Sequence, residues 1–434
     1  MSAPDTFPQV RGTMTRAGCA IVGAGTSDIG EVPGVGALAL QATAITAALG
    51  DAGLTPQEVD GLIVRGPDDV YCYHQRVGQR LGINPRFSTT LDNGGASQAM
   101  AVGLAALAIQ SGWCTTVVCG YARDGWSRTR SRPAPAHTAA TGGTGGTGGT
   151  SGTSGTGGAS GGAGGKGSGT AMQVALVPPG QQAREFGPEY GLFGAAALHA
   201  FGATRHMHLY GTTKQDMGAV ALAFREHAAR NPGAQRRTPL TMEDYLQARG
   251  VVDPFSVLDC SLLTDGAGAV VVTSAERARD LARPTVHIQG VGSANNSEGW
   301  FADEHMTTTA ARSSGQQAFA SAGLGPDDID VAQLYDCFTY MVLVQLEDYG
   351  FCAKGEGGAF ASSGALRLDG QLPANTSGGQ LSEGHVEGML QIVEAVRQLR
   401  GDHPVERQVA GAETALVSGH GGNTVCHSTL ILTL

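Results

Sequence analysis

Apolar and polar positions follow the same order twice along this chain. The first copy opens with a glycine-bearing apolar strand, CAIVGAGTS from Cys19. ALGDAGLTPQEVDGLIV, Ala48 to Val64, then reads as a helix ended by glycine, a proline turn, a short acidic stretch and a second apolar strand. The second copy runs from PTVHIQGVGSAN at Pro284 to AFASAGLGPDDIDVAQL, Ala318 to Leu334, with the same punctuation. Each copy continues into a glycine-rich turn and a helix: NGGASQAMAVGLAALAIQSG from Asn93, and SGGQLSEGHVEGMLQIVEAVRQLRG from Ser377. In the latter, Met389, Ile392, Val393, Val396 and Leu399 share one helical face. A strand follows in each, TTVVCGYARD from Thr115 and TALVSGHGGN from Thr414. Closing apolar strands are GAVVVTS from Gly268 and STLILTL from Ser428. The helix Ala99 to Ile109 is apolar all round, which predicts burial on every side, by the second copy and by a second subunit.

Two copies of one alternating β/α pattern imply two related layered α/β domains packed together. They span 15–276 and 284–434, joined near Glu276 to Pro284. Residues 121–245 interrupt the first copy and are expected to cap the site. Within them, 138–170 is almost wholly Gly, Thr, Ser and Ala. Such a tract buries too little apolar surface to offset its ordering entropy, so a flexible surface insertion is expected.

Composition narrows the function. The 434 residues are 41% apolar and 15% charged, with a net charge of −10. That suits a large core and excludes the basic face of a nucleic-acid binder or a basic-backed membrane anchor. No run of eighteen apolar residues is present, which predicts no membrane-spanning helix. The opening residues lack the apolar stretch of a secretory leader. The eight cysteines are scattered without a CxxC pair, as expected of reduced thiols in the cytoplasm. His206 and His208 form an HxH pair with no further ligands at metal spacing, so they read as ordinary helix surface and no metal is expected.

The repeat predicts that the two glycine-rich turns and the two late strand ends meet at the domain junction, a favoured place for a pocket. Four segments then converge: Asp92 to Ser97, Tyr335 to Phe338, Gly384 to Val386, and Ser418 to Gly422. Each residue has a structural reading beside the chemical one. Tyr335 is a site phenol or a core aromatic, and His385 a site imidazole or a helix-start residue. His420 is an added polar group or a turn residue bonded to a carbonyl. Ser97 is a site residue or a helix cap. Asp336 is a site carboxylate or the partner of a backbone N–H. Cys337 is a buried small side chain or a nucleophile.

The motif order resembles the thiolase superfamily, above all the sterol-carrier-protein-type thiolases and the bacterial lipid-transfer-protein aldolases. PLTMEDYLQARGVVDPFSVLDCSLLTDGAGAVVVTSAERARDL, YDCFTYMVLVQLEDYGFCAKGEGGAF and LPANTSGGQLSEGH carry the likeness. It covers nearly all of the chain outside the Gly/Thr tract. It implies a thiolase-like fold, a duplicated βαβαβαββ unit in five layers, α-β-α-β-α. A thiolase has its nucleophilic cysteine at the start of the first buried helix. The matching position here is Gly95, with Ser97 two residues later, and no cysteine lies between Cys72 and Cys114. The family histidine of Gly-His-Pro matches His385, followed here by Val386. The Asn or His of its next motif matches Tyr335. Its second cysteine matches Ser418, in a segment where His420 is additional.

Without a thiolate an acyl-cysteine intermediate is not expected. The remaining groups imply C–C bond making or breaking beside a CoA thioester, foremost retro-aldol cleavage of a β-hydroxyacyl-CoA. Catalytic roles then fall to His385, Tyr335, His420, Ser418 and Asp336. Backbone around Gly95, Ser97, Gly419 and Gly421 would bind the thioester and hold its oxyanion. Tyr335 or His385 would take the hydroxyl proton, with His385 as the neighbour that tunes the phenol. The alternatives are acyl transfer by an acetyl-CoA acetyltransferase-type thiolase in lipid, steroid or aromatic metabolism, and a non-catalytic acyl-CoA or lipid-binding subunit. The resemblance further implies a homodimer and a small OB-fold/zinc-ribbon acyl-CoA-binding partner. Coenzyme A enters as part of the substrate, with no tightly bound cofactor.

Overall fold

The structure is a computed structural model; it describes residues 18–67, 70–131, 194–296, 306–422 and 425–434. The Gly/Thr tract lies outside the described residues.

The strands are β1 (Cys19–Thr26), β2 (Gly61–Arg65), β3 (Phe87–Thr90), β4 (Thr116–Asp124), β5 (Gly250–Val252), β6 (Phe255–Ser256), β7 (Asp265–Ser274), β8 (Val286–Asn295), β9 (Val331–Gln333), β10 (Thr414–Gly421) and β11 (Cys426–Thr433). The helices are α1 (Ala37–Ala52), α2 (Tyr73–Leu81), α3 (Ser97–Gln110), α4 (Gly125–Ser131), α5 (Gly194–Tyr210), α6 (Lys214–Arg230), α7 (Met242–Leu246), α8 (Ala275–Ala278), α9 (Ala311–Ala322), α10 (Thr339–Asp348), α11 (Gly357–Ser362), α12 (Gly379–Ser382) and α13 (Met389–Arg400). β5 pairs only with β6; the other strands form one nine-stranded sheet ordered β3-β2-β4-β7-β1-β8-β11-β10-β9.

The two halves join at the short antiparallel pairing of β1 with β8. Outward from that seam the order is β1-β7-β4-β2 on one side and β8-β11-β10-β9 on the other. Pairings run antiparallel, antiparallel, parallel in each half. The likeness extends to single bonds. Asp60 accepts from the Thr115 and Thr116 N–H groups at 2.8 Å, and Asp330 from those of Glu413 and Thr414 at 2.9 Å.

Three apolar clusters separate the layers. One lies between the first half-sheet and α1, built from residues such as Ile45, Leu49, Leu62 and Val271. The middle one holds α3 and α13, with Val102, Ala105, Ile392 and Val396 between the two half-sheets. The third covers the far face of the second half-sheet with α5, α6, α9 and α10, including Phe224, Met341 and Leu416. Helix, sheet, helix, sheet, helix is the five-layer fold.

Within this one chain α3 is covered only in part. Its small residues Ala99, Ala101, Ala105, Ala106 and Ala108 are buried, but Leu107 is 41% exposed and the nearby Trp113 58%. Of the insertion in the first copy, α5 and α6 contribute Ala200, Ala203, Val220 and Phe224 to the third cluster, so they rest on the second half.

α1 and α9 cross their first strands at backbone contact. A Cβ on Gly25 would stand 2.3 Å from Ala48 N, and one on Gly292 1.8 Å from the Ser314 carbonyl oxygen. Gly25→Ala and Gly292→Ala are each expected to cost about 1–3 kcal/mol by forcing helix and sheet apart. Gly50→Ala, in α1 with open space around it, should be neutral or stabilise by up to about 1 kcal/mol. Thermal or urea unfolding of the three variants checks this, and equal losses in all three would contradict it.

Candidate active site

The middle layer positions the site. α3 begins on the turn 93–96, which packs against the end of β10 at backbone distance. A Cβ on Gly421 would meet the Asn93 carbonyl oxygen at 1.8 Å, and one on Gly419 the Gly95 oxygen at 2.9 Å. Ser428 Oγ donates to the Ala96 carbonyl at 2.5 Å, pinning the same turn from β11. Ser97 Oγ accepts from the Asn93 N–H at 2.7 Å, so it folds the turn on itself.

Gly95 faces Tyr335. A Cβ on residue 95 would lie 2.1 Å from the Tyr335 hydroxyl oxygen. The phenol therefore occupies the volume that any side chain at 95 would need. Tyr335 is buried, with His420 at 5.8 Å and His385 at 6.5 Å between ring centroids, the latter edge-on. The three rings named from the sequence thus meet.

His385 is oriented from behind. Arg123 Nη1 lies 3.2 Å and Ser261 Oγ 3.3 Å from its Nδ1, and its backbone N–H donates to Thr264 Oγ1 at 2.9 Å. Guanidinium only donates, so Nδ1 accepts and the proton of the neutral ring sits on Nε2. Burial, then Arg123, push the imidazole well below its usual range, so it is neutral at pH 7. Its Nε2 is enclosed and makes no hydrogen bond, leaving one donor unspent.

Sequence reasoning gave His385 the task of tuning the phenol; the cation there is Arg123. Burial, then Glu387, push the Tyr335 hydroxyl well above the tyrosine range, and Arg123 opposes them. The resting residue is a neutral phenol. Glu387, at a left-handed φ of 43°, gathers the charges. It bonds to Arg65, accepts from Tyr121 Oη at 3.1 Å and stands 3.9 Å from Arg123. Arg65 also binds Asp92 at 3.0 Å and lies over the Tyr121 ring. Arg65, Tyr121, Arg123 and Glu387 were missed. The available signal for the two arginines was their place at or one residue before the end of an apolar strand, GLIVR and TVVCGYARD.

Two of the expected catalytic side chains are committed elsewhere. Asp336 accepts from the Gln380 and Leu381 N–H groups at 3.0 and 3.1 Å and from Gln391 Nε2 at 3.0 Å. It fixes the start of α12, although burial pushes its carboxyl to about 6. Ser418 Oγ bonds to Gln345 and accepts from the Tyr335 N–H at 3.4 Å, holding the phenol's backbone. Gln345 Nε2 donates to the Tyr335 carbonyl at 2.9 Å from the other side.

His420 is buried, and burial, then His199 and His427, push it well below its usual range. His199, from α5, was also missed; its Nε2 is 3.2 Å from His420 Nε2. Burial and then Asp336 push the Cys337 thiol far up, which suits a protonated side chain rather than a nucleophile. The HxH pair needs correction. His208 is exposed, but His206 is buried, with Nε2 at 3.0 Å from both Glu347 oxygens and Nδ1 at 2.8 Å from Thr212. A carboxylate on α10 pairs with it beneath the helix.

The thiolase C-terminal domain-like family matches residues 292–434. A steroid side-chain-cleaving aldolase of Thermomonospora curvata is 37% identical over 394 residues, 88% of this chain and 90% of that one. A 17-hydroxy-3-oxo-4-pregnene-20-carboxyl-CoA lyase of Mycobacterium tuberculosis is 36% identical over 425 residues, 95% and 98% of the two chains. The solved Ltp2-ChsH2(DUF35) aldolase matches with a TM-score of 0.78 at 35% identity, over 96% of this chain and 98% of that one. This chain belongs to the thiolase superfamily, in its sterol-carrier-protein-type aldolase branch.

The turn carrying His385 also holds a pH-sensitive carboxyl. Glu383 accepts from Ser377 Oγ at 2.6 Å and Asn231 Nδ2 at 3.2 Å, and burial, then Glu394, push it to about 8. The folded chain therefore binds one proton more than the unfolded chain between about pH 4.5 and 8. This group's stabilisation is complete below that window and is lost as pH rises through it. Glu383→Gln should flatten the fall in stability between pH 6 and about 8, measured by urea unfolding. An unchanged slope would contradict the assignment.

Proposed function

We propose that this chain cleaves the Cα–Cβ bond of a β-hydroxyacyl-CoA, releasing a ketone or aldehyde and a shortened acyl-CoA. The observation that carries this reading is the Tyr335 phenol filling the residue-95 volume beside the unspent His385 Nε2–H.

In the cleavage, the β-hydroxyl loses its proton as Cα–Cβ breaks, and the bonding electrons move onto the thioester as an enolate. In this reading His385 Nε2–H donates to the enolate oxygen. A preorganised donor of this kind is worth about 3 kcal/mol in the transition state. Tyr335 accepts the β-hydroxyl proton on its oxygen while passing its own proton to Cα. A phenol is both donor and acceptor, so the shuttle needs no resting phenolate. That suits a hydroxyl held far above neutral pH. Backbone N–H groups near Gly95 and His420 supply further oxyanion contacts, while Ser418 and Asp336 position the phenol and the His385 turn. Coenzyme A arrives with the substrate, and no tightly bound cofactor is required.

The names of the relatives support a bulky acyl group, a steroid side chain foremost. Acyl transfer needs a thiolate, and the thiol near the site, Cys337, is held protonated by burial. Leu107 and Trp113 are exposed, and β3 forms a sheet edge, which supports a homodimer. The Ltp2-ChsH2(DUF35) aldolase carries two components in its name, which supports a partner subunit for this chain as well; the small OB-fold/zinc-ribbon protein that the family likeness implies is the proposed partner. Among the described residues no helix is long and apolar enough to cross a membrane, in keeping with a cytoplasmic enzyme.

In a panel of β-hydroxyacyl-CoA and β-ketoacyl-CoA thioesters, the β-hydroxyacyl compounds should release a carbonyl product without consuming free CoA. Tyr335→Phe should lower kcat about 10²–10⁴-fold, and His385→Ala about 10²–10³-fold. Consumption of CoA, or a stable acyl adduct on the protein, would overturn the lyase reading. Light scattering should give twice the chain mass for the wild type and a lower mass for Trp113→Glu. A wild-type monomer would contradict the dimer.

A further inference from the structure

Three side chains from distant parts of the chain meet beside Tyr335 and are not used by the cleavage. His199 comes from α5, Cys337 from the segment between β9 and α10, and His420 from β10. Their ligating atoms all lie within 4.8 Å of one another. His199 and His420 are both nearly inaccessible to solvent.

The His199 tautomer is fixed. Its Nδ1 lies 2.8 Å from the Ala195 carbonyl oxygen, which can only accept. Nδ1 therefore carries the proton, and Nε2 presents its lone pair towards His420 Nε2 at 3.2 Å. A bond from the remote ring nitrogen to a backbone carbonyl is how proteins orient metal-binding histidines. The spacing also fits: two nitrogens at about 2.0–2.1 Å from a tetrahedral zinc stand about 3.3–3.4 Å apart. Cys337 adds a soft donor on the same side. The HxH pair offers nothing comparable, because both His206 nitrogens are engaged by Thr212 and Glu347.

We propose that His199, His420 and Cys337 form a binding site for one borderline-soft divalent cation, zinc foremost, with a fourth position left for water or a ligand oxygen. On binding, the Cys337 S–H bond breaks and its proton leaves to solvent as the sulfur–metal bond forms. His199 donates its Nε2 lone pair directly; His420, whose Nε2–H bonds to His199 in the free protein, gives up that proton, takes one on Nδ1 and donates the freed Nε2 lone pair. Two imidazoles, one thiolate and an open position match zinc or cobalt(II) rather than magnesium or calcium, which take oxygen ligands. The proposal is independent of the lyase reading.

The test uses the full-length protein, stripped with a chelator and titrated with cobalt(II). One cobalt per chain is expected, with the intense visible bands of tetrahedral cobalt and a thiolate-to-cobalt charge-transfer band. Cys337→Ser should abolish the charge-transfer band, and His199→Ala should weaken cobalt binding at least tenfold, with folding checked by circular dichroism. A titration without that band, or a band that survives in Cys337→Ser, overturns the site; the His pair is then only hydrogen-bonded. If a variant does not fold, X-ray absorption of the zinc-loaded wild type decides. One sulfur and two imidazole nitrogens support the site, and any shell lacking the sulfur overturns it. These readouts do not involve turnover, so a failed lyase assay and a failed metal site are told apart.

Discussion

The site is organised by one steric exchange. Residue 95 has no side chain, and the Tyr335 hydroxyl takes the vacated volume. Neither can be changed alone. Any β-carbon at 95 collides with the phenol, and a shorter residue at 335 leaves a hole against the turn where α3 starts. In the proposed reaction that neutral hydroxyl moves protons and no covalent acyl-enzyme forms. Much of the surrounding structure keeps that hydroxyl in place. Ser418 and Gln345 grip the backbone of Tyr335, Asp336 anchors the next turn, and Gly419 and Gly421 let β10 approach the 93–96 turn at backbone distance.

Electrostatics follow from burial. The pocket holds a phenol and three imidazoles, His199, His385 and His420, whose charged forms burial disfavours. The permanent charge nearby belongs to Arg65 and Arg123, and Glu387 binds the first and stands close to the second. This arrangement orients His385 through Arg123 without charging it. A neutral imidazole whose Nδ1 is occupied can only donate from Nε2. An oxyanion donor thus follows from the placement of a guanidinium on the opposite side of the ring.

Much of the fold was legible because the repeat is written in local signals. Gly53 and Gly323 end their helices in the left-handed conformation, the proline turns follow, and Asp60 and Asp330 close equivalent strand entries. The glycine-rich turns and the three rings Tyr335, His385 and His420 were legible for the same reason, since each ends or begins a repeated element. What was not legible depends on contacts far apart in the chain. Arg65 and Arg123 stand at or next to the ends of apolar strands with nothing nearby to show that Glu387 joins them. His199 sits in a helix of the insertion that gives no hint of packing on the second half. His206 looked like surface because Glu347, its buried partner, is on another helix. The bonds of Asp336 and Ser418 run to backbone and to Gln391 and Gln345, partners that no motif discloses.

In the proposed cleavage a phenol and an imidazole act on the two oxygens of a β-hydroxyacyl thioester. A crystal structure of the protein with a non-cleavable thioether analogue of that substrate tests it most directly. In that complex the Tyr335 hydroxyl is expected within hydrogen-bond distance of the β-oxygen, and His385 Nε2 within hydrogen-bond distance of the oxygen that represents the thioester carbonyl. An analogue bound with its β-oxygen away from Tyr335 and its acyl oxygen away from His385 would contradict it.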